Sequence, residues 1–367
     1  MTAKARRLAA SLLVGGLAVG LFGGPVTPLY ADEGAKNDAT SSAAIELPAL
    51  GARRDDASVL GVSSGGYMAS QMAVAWPARF AGLGVIAAGP WACARGSLGR
   101  ALGQCMFTTK GPVDLGAIDA RYQRYLEREL VGTPEQLATL RAYTWHGGAD
   151  KVVAPSIGES LAQQLSAWLA DPEQQLRVVV DAEAAHGWPV GSDTPNDDHG
   201  IAIADCAEGG GTHLLDCERQ VAQEALDWIH GPAPDGNSEQ AGRLVRFDQG
   251  DFDARGLADA GYVFIPDACE SGGCPVSVAL HGCDMSAEEG DESFVRRSGL
   301  NPRAAAEGRL VLYPQAEASM ANPQGCWDWW GFTESSWQLD PLHDSRQGRQ
   351  LSALMQMLDR LQSAKDS

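Results

Sequence analysis

The stretch Ala57-Ser58-Val59-Leu60-Gly61-Val62-Ser63-Ser64-Gly65-Gly66 decides how the rest of the chain is read. Ala57–Leu60 is the short apolar run of a buried strand, and a helix is expected over Tyr67–Ala75, ending before Pro77. Between them, Gly61-Val62-Ser63-Ser64-Gly65 fits G-x-S-x-G, in which a serine sits on a sharp strand-to-helix turn. That turn needs small residues two before and two after the serine. Ser63 has Gly61 and Gly65 there, whereas Ser64 has Val62 behind it, so Ser63 is favoured as nucleophile over Ser64. Taken alone, the segment has a competing reading as a glycine-rich turn without chemistry.

A serine hydroxyl attacks an ester only when a base takes its proton and a carboxylate holds that base in the right tautomer. With this type of elbow the chain order is Ser, acid, His. Asp150 closes His146-Gly147-Gly148-Ala149-Asp150 after the apolar run Arg141–Trp145, and His186 follows the β-branched run Leu176–Val180. Both fall in loops beyond strand ends, where side chains from separate strands converge. Asp181 is the competing acid and reads as a strand-end surface residue. Among the other histidines, His199, His213 and His343 lie in polar or cysteine-bounded loops, His230 ends a helix, and His146 precedes a turn. The oxyanion needs backbone N–H donors. Ser64, next to the nucleophile, is one candidate, and Cys283, in His281-Gly282-Cys283 after the strand Val276–Leu280, is the other. Neither a cofactor nor a metal is expected.

Outward from the elbow, short apolar runs alternate with amphipathic segments, the pattern of an α/β sheet. Strands are expected at Gly82–Ala88, Tyr262–Ile265 and Leu310–Tyr313, and helices at Ser156–Leu169, Val221–Ile229, Ser293–Glu307 and Arg349–Leu361. Residues 230–243, rich in Gly, Pro, Asn and Ser, read as a linker. Neither side of it holds a complete hydrolase site, so one catalytic domain over 32–367 is expected.

Residues 1–31 carry Lys4, Arg6 and Arg7, an apolar run, and Leu29-Tyr30-Ala31 before Asp32, the layout of a cleaved secretory signal. A retained membrane anchor is the competing reading, weakened by Pro25, Pro28 and the glycines. The formal charge is −19, and −22 without that segment, so nucleic acid and anionic lipid are poor partners and no stable membrane association is expected. The sequence assigns no oligomeric state. Eight cysteines in an exported chain point to disulfides. Proximity pairs Cys93 with Cys105, Cys206 with Cys217 and Cys269 with Cys274, leaving Cys283 for Cys326, one of about 105 possible connectivities. No CxxC spacing supports the zinc alternative. Three indoles, Trp327, Trp329 and Trp330, stand within four residues and, with Trp188, are candidate walls of a substrate crevice; a buried cluster is the alternative.

Taken together, Gly61–Met68, His146–Asp150, His186-Gly187-Trp188-Pro189, Leu280–Cys283 and Asn322-Pro323-Gln324-Gly325-Cys326-Trp327 resemble the extracellular polyhydroxybutyrate depolymerase and esterase family. In most relatives the last two motifs precede the serine elbow. Here they follow it, which resembles the circularly permuted, single-domain fungal form, with 230–243 at the permutation junction. The resemblance implies a permuted α/β-hydrolase fold, the triad Ser63, Asp150 and His186, oxyanion donors Ser64 and Cys283, a polyester or oligoester substrate, and adsorption through the catalytic domain's own surface. A feruloyl or acetylxylan esterase would use the same triad with a different pocket. A polymer-binding protein without catalysis is the reading from another class.

Overall fold

Alternation of side chains along the strands sorts the core into two layers. Val59, Val85, Val278, Leu310 and Leu312 face one side of the sheet and pack with Met68, Met72, Leu354 and Leu358. Their neighbours Leu60, Ile86, Ala279, Val311 and Tyr313 face the other, against Ala222, Leu226, Leu300 and Ala304. Successive strand residues point to opposite faces, so strands buried on both faces read as unbroken apolar runs. The structure is a computed structural model that describes residues 44–192, 194, 201–233, 242–287, 291–334 and 340–365, all within the compact unit Ser42–Ser367.

The strands are β1 (Ala57–Val62), β2 (Phe80–Ile86), β3 (Arg141–Gly147), β4 (Leu176–Asp181), β5 (Trp188–Val190), β6 (Ala204–Asp205), β7 (Leu214–Asp216), β8 (Gly242–Asp248), β9 (Ala260–Pro266), β10 (Val276–Leu280) and β11 (Leu310–Tyr313). Eight form one sheet in the order β4-β3-β2-β1-β10-β11-β9-β8, while β5, β7 and β6 make a small second sheet. Within the large sheet only β9 runs antiparallel to its neighbours β11 and β8. Counting from β8 to β11 and then from β1 to β4 turns that order into 1-2-4-3-5-6-7-8 with strand 2 reversed. This is an α/β-hydrolase sheet that the chain enters at the strand leading to the Ser63 turn.

The permutation is visible in the packing of the two ends. Leu50 and Ala52 N–H donate to the Leu361 carbonyl at 3.2 and 3.0 Å, which sets the entry to β1 against the close of the helix Arg349–Leu361. Neighbouring ends are what make such rearrangement tolerable. The helix Val221–His230 ends with His230 Nδ1 2.9 Å from Asp56, just before β1. Burial works against ionisation there, but the hydrogen bond from His230, backed by the nearby Arg309 charge, holds the Asp56 carboxyl down at about 2. Arg309 joins the group through the Asp56 carbonyl at 2.8 Å and its carboxylate at 3.2 Å.

Two expectations need correction, and one element has no counterpart among them. The linker is shorter than 230–243, because His230 is helical and Gly242 already opens β8; 234–241 lie outside the described residues, as do the signal segment 1–31 and His199. The helix expected over Ser293–Glu307 is two, Ser293–Arg297 and Leu300–Glu307, broken at Gly299 with φ 82°. The helix Leu115–Leu126, whose Asp114 cap accepts from Ala117 N–H at 2.9 Å, is an element the sequence reading omitted.

The elbow itself is closed by glycines. A Cβ on Gly61 would lie 2.2 Å from the Gly65 carbonyl oxygen, and one on Gly65 would lie 2.2 Å from that of Leu280. Both contacts are with backbone, which cannot move aside as a side chain can. Gly65→Ala is expected to cost at least about 2–3 kcal/mol, read as a lowered midpoint in a denaturant melt, whereas Gly116→Ala, on an exposed helix with only the Asp114 carboxylate 3.6 Å from the new methyl, should leave the midpoint unchanged or raise it.

Candidate active site

Ser63 has φ 55° and ψ −122°, a conformation that costs a non-glycine residue energy and persists only where the surroundings enforce it. The enforcement is local: Ser63 N–H donates to the Ile86 carbonyl at 2.9 Å, and its own carbonyl accepts from Gly66 and Tyr67. The helix Ser64–Ala75 therefore begins at once, with every residue buried. β1, β2 and β3 are adjacent and parallel, so residues that follow them emerge along the same edge of the sheet.

At that edge, His186 Nδ1 lies 2.7 Å from Asp150 Oδ2. The other carboxylate oxygen accepts the N–H groups of Val152 and Val153, both at 2.8 Å, which locks Asp150 within its own turn. Both residues are buried. The negative charge of Asp150 reaches the elbow helix: burial first, and that charge second, push the Tyr67 phenol far above its ordinary range. Asp181, the competing acid, ends β4, where its carbonyl accepts Gly148 N–H at 2.6 Å. His146 donates through Nε2–H to the Val153 carbonyl, 2.9 Å away, and stands 3.5 Å from Asp150 Oδ2; burial holds its pKa below the usual value. It serves as backing for the aspartate turn.

The loop after β10 arrives from the far half of the chain. A Cβ on Gly282 would fall 3.2 Å from Ser63 Cβ, so the backbone between His281 and Cys283 passes directly over the elbow. Three groups hold it there. His281, fully buried, accepts Ala316 N–H at Nε2 at 3.0 Å and has Nδ1 2.6 Å from the Gly282 carbonyl. Trp327 Nε1 donates to the His281 carbonyl at 3.0 Å. Cys283 is bonded to Cys326. The remaining sulfurs pair as Cys93–Cys105, Cys206–Cys217 and Cys269–Cys274, the pairing expected from proximity. Among the described residues Asp181 groups with Cys206 and Cys217 at metal-ligand spacing, yet those two sulfurs are bonded to each other and offer no thiolate.

The tryptophans are placed differently from expectation. Trp188 and Trp327 are fully buried: Trp188 donates to the Ser298 carbonyl at 2.9 Å, and Trp327 braces the loop over the elbow. Neither lines a crevice. Trp329 is nearly buried and stacks on Tyr67 at 4.3 Å, while Trp330, packed at 4.8 Å on Phe332, keeps part of its surface exposed. Asp328 bonds its own loop, accepting from Gly331 at 2.6 Å and Phe332 at 2.8 Å.

No family model matches the sequence. A poly(3-hydroxybutyrate) depolymerase of Delftia acidovorans is 30% identical over 88% of this chain, which spans 62% of that relative's length. A polyhydroxybutyrate depolymerase of Talaromyces funiculosus is 31% identical, with 81% of this chain and 88% of the relative aligned. The crystal structure of the depolymerase from Penicillium funiculosum superimposes with a TM-score of 0.77 at 28% identity, over 88% of this chain and all of that one. A PHB depolymerase carrying one serine-to-alanine change, complexed with an R3HB trimer, gives 0.76 at 27%, over the same shares.

The chain belongs to the polyhydroxybutyrate depolymerase family. For this depolymerase-family chain, the histidine before the oxyanion-type loop is the functional residue that sequence reasoning missed. In the sequence His281 is only part of a His-Gly signature; its role as a neutral spacer emerges from its burial and its two backbone partners. Burial brings its pKa down to about 4. The unfolded chain takes up a proton near pH 6.5, and the folded one does so only near 4, so this residue subtracts stability as pH falls through that window and not above it. The penalty reaches roughly 3 kcal/mol at pH 4. Denaturant melts at pH 7, 5.5 and 4.5 should show the decline, and the His281 ring proton in NMR should stay in its neutral position until about pH 4.

Proposed function

We propose that this chain is a serine esterase that hydrolyses poly(3-hydroxybutyrate) or its oligomers through an acyl-enzyme on Ser63. The observation that carries the reading is the 2.7 Å pair of His186 Nδ1 and buried Asp150, held at the sheet edge from which the strained Ser63 turn emerges. Kinship with depolymerases, one of them complexed with an R3HB trimer, supports the substrate class.

The chemistry follows from which atoms remain available. His186 commits Nδ1 to Asp150, which leaves Nε2 as the base. Ser63 Oγ bonds to the ester carbonyl carbon and passes its proton to Nε2. The carbonyl oxygen becomes an oxyanion, for which the backbone N–H groups of Ser64 and Cys283 are the donors. The imidazolium returns the proton to the departing alkoxide as the C–O bond breaks, leaving an acyl-serine and a free hydroxyl end. Water repeats the sequence: its proton goes to Nε2, its oxygen bonds to the acyl carbon, and Ser63 recovers its hydrogen as the carboxylic acid leaves.

A polyester of hydroxybutyrate is neutral and methyl-bearing, so an acidic protein meets no charge penalty in approaching it. Trp330 and Phe332 are the aromatic surface of the tryptophan segment available for such contact. The four disulfides and the signal-like residues 1–31 support secretion. Among the described residues no helix is long and apolar enough to cross a membrane.

Ser63→Ala should lower ester turnover by about 10⁴-fold or more, and His186→Ala comparably, because serine and base act as a unit. Ser64→Ala keeps its backbone N–H and should stay within a few-fold of wild type. A Ser64→Ala variant as inactive as Ser63→Ala would overturn the assignment. Release of 3-hydroxybutyrate from a trimer, measured beside methyl ferulate and acetylated xylan, separates the depolymerase reading from the feruloyl and acetylxylan alternatives; turnover of those two without the trimer sinks it.

A further inference from the structure

A second imidazole stands beside His186 and takes no part in the reaction just described. His213 lies in the loop closed by Cys206–Cys217, after three consecutive glycines with φ of 67°, 81° and 57°, and itself has φ 55°. Its carbonyl accepts Trp188 N–H at 2.8 Å, and its N–H donates to the Gly210 carbonyl at 2.9 Å. The approach to the His186 segment is close enough to require glycine. A Cβ on Gly187 would lie 2.4 Å from the His213 carbonyl oxygen, and one on Gly209 would lie 2.8 Å from Ala185 Cβ. The rings of His213 and His186 meet edge-on, with centroids 6.4 Å apart and planes at 77°.

Two costs are paid at this position. A non-glycine residue with a left-handed backbone is strained, and His213 Nδ1 is buried without a partner at full hydrogen-bond geometry, the His186 backbone being the polar group the ring approaches. Strain of this kind, on a residue beside a reacting group, clusters at ligand-binding positions. The ring stays neutral: burial first, and the neighbouring His186 second, hold its pKa below the usual value, while the Asp284 carboxylate pulls the other way. Asp284 directly follows Cys283, so His213 is within electrostatic reach of both the base and the oxyanion-type loop.

A base that must hand a proton to the departing oxygen sits over the leaving group. A side chain beside that base therefore meets the unit that leaves. In a 3-hydroxybutyrate chain the departing oxygen is followed, two carbons on, by another carbonyl, whereas a simple alcohol or phenol leaving group has none. We propose that His213 is a specificity-determining residue on the leaving-group side, donating a hydrogen bond from a ring nitrogen to the carbonyl oxygen of the hydroxyacid unit that departs. The inference rests on the esterase reading above and adds which side of the scissile bond is recognised and by what group.

The test compares two acyl donors in one variant. His213→Asn tolerates the positive φ and removes the imidazole; His213→Gln is the second variant, keeping an N–H donor of different reach. With (R)-3-hydroxybutyrate trimer, kcat/KM of His213→Asn should fall about tenfold, the scale of one lost hydrogen bond. With p-nitrophenyl butyrate, whose leaving phenolate lacks a carbonyl, it should stay within about twofold of wild type, which also reports a folded site; His213→Gln should recover part of the trimer activity and none of the p-nitrophenyl difference. Equal losses on both substrates would make His213 a support for His186, and no loss on either would leave it without a role; each overturns the proposal. Wild-type protein that turns over p-nitrophenyl butyrate but not the trimer would remove the substrate reading first, and this inference with it.

Discussion

Everything at the site depends on one close approach of main chain to main chain, Gly65 against the carbonyl of Leu280. The distance at which a Cβ would collide there, 2.2 Å, leaves space for hydrogen alone. Through that contact the first turn of the elbow helix sits on the end of β10, and the loop carrying Gly282 crosses above Ser63. A side chain at either glycine would lift the loop away from the serine. The strained φ of Ser63 belongs to the same arrangement, since its N–H to Ile86 and its carbonyl to Gly66 and Tyr67 leave the turn no slack.

The permuted order makes this contact a joint between distant parts of the chain. β1 pairs with β2 on one side and β10 on the other, and side chains cross that seam as well, Ser58 Oγ to Ser277 Oγ at 2.7 Å, both fully buried. In an unpermuted hydrolase the strands corresponding to β10 and β1 are the third and the fifth, separated along the chain by one strand only. Here the polar group of Asp56, His230 and Arg309 fastens the entry to β1 to the helix Val221–His230 and to the residue before β11. Buried or half-buried charges are stable only when mutually paired, and this group pairs them where the new connection and the displaced end meet.

The inner strands of the large sheet are legible because they are buried on both faces and appear as plain apolar runs, with β10 and β11 expected to the residue; the edge strand β8, with a single buried residue, shows no such run and is not among the strands expected. The elbow and the Asp150 and His186 loops were legible because each follows such a run. What the sequence concealed were features without a period. The small sheet β5-β7-β6 consists of strands of two or three residues, too short to show alternation. The break at Gly299 hid in a helical pattern that continued past it. In the sequence His213 is one more residue of a cysteine-bounded loop, and only the fold of that loop brings its ring to His186.

The tryptophan segment shows why density of aromatics is a poor guide to substrate contact. An indole has a large apolar face and one N–H, so it is well suited to burial wherever a carbonyl waits for a donor. Trp327 finds the carbonyl of His281, Trp188 that of Ser298, and Trp91 that of Asp344 at 3.0 Å. Each lies where an irregular segment has left a backbone acceptor without a strand partner. Buried carboxylates do the complementary work, Asp150 and Asp328 each taking two or more loop N–H groups, and Asp344 taking the buried Arg121 at 2.8 and 2.9 Å. The site of this protein is thus built from loops whose main chain is satisfied by side chains. Indoles and carboxylates concentrate there to fold it, and the aromatic surface that those roles leave part-exposed in the tryptophan segment is that of Trp330 and Phe332.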